Sequence, residues 1–121
     1  MKVFARQDTY ERERECYRRL FENVVERLAG FHVPELMDYS NIHCAIEMTI
    51  VKPPCILDFG KAYVDSPPEY SEEALAEAEE AERELFSGEE WKRVRLVRAA
   101  LLRYGIYYFD ARPSNIMFPR Q

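Results

Sequence analysis

At 121 residues and 47% hydrophobic, the chain has material for one core and no room for a second. A net charge of −5 and a pI of about 5.1 argue against a nucleic-acid-binding surface, and no apolar stretch is long enough to span a membrane. The odd cysteine count (Cys16, Cys44, Cys55), with no C-x-x-C pair and with His32 and His43 off metal-ligand spacing, is expected to give free thiols in a cytoplasmic protein.

In chain order, residues 2–6 read as a short strand. Asp8 is placed to cap a helix, with Glu11 completing a capping box. From there to Ala29 the apolar positions Tyr10, Cys16, Tyr17, Leu20, Phe21, Val24, Val25 and Leu28 recur at three and four residues, the face of an amphipathic helix stopped by Gly30. Leu36–Tyr39 is a candidate strand. After a Ser40-Asn41 turn, residues 42–50 alternate with period two as a second. Lys52-Pro53-Pro54 ends that strand, because proline has no N–H for a ladder, and Cys55–Phe59 is a short apolar run. A turn or further strand is expected over Lys61–Asp65. After Ser66-Pro67-Pro68, Ser71 caps a helix running to Phe86 with a weak apolar stripe. Ser87 and Glu90 form a capping box for a helix with Trp91, Val94, Val97, Leu101 and Tyr104 on its core face, closed by Gly105. The expected class is α+β: a small antiparallel sheet with one helix, then a helical C-terminal half. It forms a single domain, with 1–52 as strands and helix, 53–70 as linker and 71–121 as the helical half.

The stretch from Gly105 to Phe118 stands out. An apolar run leads to Asp110, Asn115 follows five residues later, and a second apolar run closes the loop. That pattern presents an acid and an amide at fixed separation, although Asp and Asn in a Pro113-containing turn also serve to satisfy local backbone groups. The D-x-x-x-x-N spacing, with Arg112 and Pro113 inside it, resembles the catalytic loop of the protein-kinase-like superfamily, including its atypical and small-molecule branches. The resemblance covers most of the chain, Lys2 to Phe118.

It implies a minimal kinase-like fold using ATP and Mg²⁺. Asp110 would be the base, Arg112 a stabiliser of phosphate charge and Asn115 the metal ligand. Lys2 in the first strand and Glu13 on the following helix would clamp the nucleotide, with Glu15 the alternative to Glu13. Glu47 and Met48 would lie at the passage that meets an adenine edge. Leu57-Asp58-Phe59-Gly60 spells the family's Mg²⁺-binding triplet, but it precedes the loop where the family has it following. A metal role for Asp58 would need a permuted chain. Otherwise the triplet starts the segment after the hinge, or is out of order yet close in space.

Other departures point to weak or lost catalysis. Tyr108 and Phe109 stand where the motif usually has His and Arg or Gly. No Gly-rich run precedes Lys2, and no metal-binding Asp follows Asn115. The competing expectation is a non-catalytic interaction module in which Tyr104, Tyr107, Tyr108, Phe109 and Phe118 pack the core or meet a partner, a homodimer included.

Overall fold

A computed structural model describes residues 1–59, 62–109 and 111–119. The protein is α+β, with short strands in three small sheets around a core shared with the helices. Strand β1, Lys2–Val3, is shorter than expected, but it is no frayed end. It pairs antiparallel with β5, Ala45–Met48, aligning Lys2 with Ile46, and Phe4 N donates to Cys44 O at 2.9 Å.

Helix α1, Gln7–Glu22, differs from the sequence reading at both ends. Its N-cap is Arg6, in extended conformation and without a side-chain cap. Asp8 lies inside the first turn, where it pairs with Arg6, so the Asp8–Glu11 capping box does not form. The helix stops at Asn23 instead of Ala29, because Asn and two β-branched valines support a helix poorly. Val24 takes a positive φ of 55° and the chain turns away. Strands β2, Arg27–Leu28, and β3, Phe31–His32, then form a hairpin across Ala29 and Gly30, both at positive φ, as tight right-twisted hairpins require. Tyr10, Glu13, Cys16, Tyr17 and Leu20 are the buried face of α1, whereas Phe21 and Val24, expected on that face, are exposed.

Strand β4, Leu36–Ser40, completes the first sheet in the order β1-β5-β4. Strand β5 is half the expected length: Ile42 lies in the turn before it and Ile50 beyond it, both almost fully exposed. The prolines end that sheet, but the next residues enter another. Strand β6, Cys55–Ile56, lies between β3, with which it is parallel, and β9, Ile116–Met117, with which it is antiparallel. The stretch 53–70, expected as a linker, thus contributes Cys55, Ile56, Phe59 and Ala62 to the core. Burial on both sides explains why Cys55-Ile56-Leu57 is uniformly apolar rather than alternating.

Strand β7, Tyr63–Val64, pairs with β8, Ile106–Tyr107, as a third sheet. Helix α2, Glu72–Arg83, carries the expected Ser71 cap but ends three residues before Phe86. Helix α3, Gly88–Leu102, has the expected Ser87–Glu90 capping box and buries Trp91, Val94, Val97 and Leu101. Gly105 follows at φ 72°. Arg19 from α1 reaches this turn, donating to Tyr104 O at 3.0 Å and pairing with Asp65 at 2.7 Å.

Candidate functional site

The candidate site grows from α1. Tyr10, Glu13, Cys16, Tyr17 and Leu20 recur at helical spacing, so Glu13 is carried inward with the apolar residues and is only 2% exposed. A buried carboxylate needs partners. Its Oε1 pairs with the Lys2 ammonium and accepts from Phe59 N at 3.4 Å. The same ammonium lies 3.0 Å from Asp58 Oδ2, so one cation sits between two carboxylates, one buried and one partly open to solvent. Burial pushes the Glu13 carboxyl up from 4.5 to about 7; Lys2 pulls it down and Asp58 adds to the rise.

Strand pairing supplies the rest of the geometry. Residue Asp58 follows β6, Asn115 precedes β9, and these strands pair with Ile56 opposite Ile116. The ladder extends to Leu57 N, which donates to Asn115 O at 2.8 Å. Two segments far apart in sequence therefore leave one sheet side by side. The Tyr108 hydroxyl joins them, 3.2 Å from Asp58 O and 3.2 Å from Asn115 Oδ1. The Phe59 ring packs edge-on between Tyr17 (centroids 5.1 Å) and Tyr108 (6.0 Å), tying α1 to the loop.

Inside the loop, Asn115 is buried and its Oδ1 accepts from Arg112 N at 2.7 Å, while Asn115 N and Ile116 N both lie 2.9 Å from Arg112 O. This closes a turn by a side chain–backbone bond, the local use of Asn weighed from the sequence. Ala111 is buried and Arg112 exposed. Residue Asp110, the expected base, and Gly60 of the triplet lie outside the described residues.

Of the expected clamp, Lys2 and Glu13 meet. The alternative Glu15 does not join them: its carboxylate binds Arg18 and Arg19 and is held below the usual range by them, Arg18 first. Glu47 is exposed and opposite Asp38, and Met48 is half-buried opposite Leu36. Strand β1 pairs with β5 at Ala45 and Ile46, so both residues lie past its end. Sequence reasoning did not select Asp58 as the second partner of Lys2 or Tyr108 as the bridge. The usable signal for Asp58 was the apolar run before it, which matches the run after Asn115 as a strand pair.

The thiols of Cys16, Cys44 and Cys55 are free, and burial pushes Cys16 up to about 12. Among the described residues, no three or more His, Cys, Asp or Glu are grouped to hold a metal ion, and no helix is long and apolar enough to cross a membrane. Compared with known proteins, the chain matches no family model, no curated protein and no solved structure.

Proposed function

We propose that this chain is a kinase-like nucleotide-binding module in which the triplet Asp58-Phe59-Gly60 works in permuted order. The observation that carries the reading is the Lys2 ammonium between Glu13 and Asp58, with Asp58 tied to Asn115 through Tyr108. Glu13 orients Lys2, and a phosphate arriving at the partly exposed ammonium can take the place of Asp58 there. Asp58 carries a hard carboxylate oxygen of the kind that suits Mg²⁺, and Asn115 Oδ1 would join it only on giving up a bond it now accepts from Arg112 N or Tyr108. Bound there, Mg²⁺ would neutralise charge on the phosphates. The resemblance assigns Asp110 the role of base and Arg112 that of charge stabiliser. Nucleotide binding is the part of this reading that the Lys2–Glu13 pair supports directly.

The test is thermal stabilisation by ATP with Mg²⁺. At ten times Kd a bound nucleotide stabilises by about 1.4 kcal/mol, a shift of several degrees for a domain of this size. Replacing Lys2 with Met or Asp58 with Asn should shrink the shift. No shift at any accessible concentration sinks the proposal.

One observation favours a second reading, a non-catalytic interaction module. The Asn115 amide oxygen is already engaged by its own loop, and large apolar residues such as Ile42 and Ile50 face solvent. An absent ATP shift combined with concentration-dependent association would support it.

A further inference from the structure

A cavity of about 490 Å³ lies away from the Lys2–Glu13–Asp58 cluster, between the C-terminal end of α1, the β2–β3 hairpin and the segment after β5. Its size falls in the range of small-molecule sites, roughly 300–1,000 Å³. Phe21, Val25, Val33, Pro34 and Val51 give it apolar walls.

Backbone bonds hold its frame. Val25 N donates to Leu20 O at 2.8 Å, Val33 N to Glu26 O at 3.0 Å and Thr49 N to Glu35 O at 2.9 Å, while Thr49 Oγ1 accepts from Glu35 N at 2.8 Å. Val24, on the lining, takes a left-handed φ of 55° although it is β-branched, in a turn closed by Val24 N donating to Phe21 O at 3.0 Å. A hollow framed in this way has its shape before any ligand arrives, so binding loses little to reorganisation.

Its charge is one-sided. Glu22, Glu26 and Glu35 line the cavity, and among the described residues no Lys or Arg does. Glu22 is engaged by Arg18 at 2.7 Å, but among the described residues neither Glu26 nor Glu35 makes an ion pair. His32 and Thr49 add polar atoms to the wall. Apolar walls beside two carboxylates with no cation of their own complement a ligand that has an apolar body and one positive charge.

We infer that this cavity is a binding site for a small organic cation, an alkyl- or arylamine protonated at neutral pH, seated with its apolar body against Phe21, Val33 and Val51 and its ammonium toward Glu26 and Glu35. Such a site is independent of nucleotide binding and stands or falls on its own measurement.

The experiment titrates the full chain with three probes of one shape, phenethylammonium, phenethyl alcohol and hydrocinnamate, and follows amide NMR shifts. The amine should shift the amides of Val24, Glu26, Val33 and Thr49 and bind at least about tenfold more tightly than the carboxylate, with the alcohol between them. A Glu26→Gln/Glu35→Gln double variant alters only exposed side chains. It should weaken the amine by about tenfold and leave the alcohol unchanged. Equal binding of amine and carboxylate, shifts confined to other parts of the chain, or no binding of any probe overturns the assignment.

Discussion

Replacing Tyr108 with Phe removes one oxygen and keeps the ring, so it isolates the bridge between Asp58 and Asn115. A hydroxyl carries one proton, and here two acceptors at 3.2 Å share it. The change therefore removes one donor shared by two acceptors. The Asn115 oxygen keeps Arg112 N at 2.7 Å. One net hydrogen bond gives a loss of about 0.5–1.5 kcal/mol. Ring packing against Phe59 at 6.0 Å survives, so cavity formation adds nothing. Chemical denaturation measures the loss, and amide NMR should show shifts at Leu57, Phe59, Arg112 and Asn115. Stability within about 0.3 kcal/mol of the parent and unmoved amides would refute the bridge, because a buried donor cannot be deleted from two acceptors without effect.

Three further predictions concern the same core. The folded Glu13 carboxyl keeps its proton up to about 7, while the unfolded chain releases it near 4.5. The folded state thus binds more protons in that window, so stability should fall as pH rises from about 4.5 to about 7 and flatten above it. Glu13→Gln should remove most of that slope, and an unchanged profile would assign it to other groups. Phe59→Ala empties a site only 1% exposed between Tyr17 and Tyr108, and should cost about 3–5 kcal/mol by denaturant unfolding; a loss below about 1 kcal/mol would contradict the packing. Gly105→Ala forces a Cβ onto φ 72°, 2.7 Å from the Arg19 guanidinium and 2.8 Å from its partner Asp65, side-chain ends that can give way only by loosening their ion pair. The backbone strain cannot, so a loss of about 1–2 kcal/mol is expected in the melting curve, and none at all would mean the turn is wrongly drawn.

Local rules held where local groups decide. Ser71 and Ser87 cap the helices they were read to cap, because an N-cap bond spans three residues and needs nothing from the rest of the chain. Periodicity found the buried face of α1 but overran its end. Val24, Val25 and Leu28 continue the helical spacing, and the Arg27–His32 hairpin overrides it by pairing β3 with β6, a partner far along the chain. Asp8 shows the same limit: an acid near a helix start satisfies the capping pattern, yet Arg6 holds its carboxylate.

The candidate site divides in the same way. Composition and spacing alone determined the class, α+β, while only the family resemblance offered Glu13 and Glu15 as partners for Lys2. Spacing also marked Asn115 as a loop residue flanked by apolar anchors. Only the tertiary structure decided that Glu13 meets Lys2 while Glu15 turns to Arg18 and Arg19, since two positions along a helix rotate a side chain by about 200°. It alone brought Asp58 to that pair. The sequence orders Asp58 long before Asn115, and nothing in the order of residues states that β6 and β9 are neighbours. That adjacency comes from burying two short apolar runs in one sheet, a contact between distant segments that no local pattern encodes.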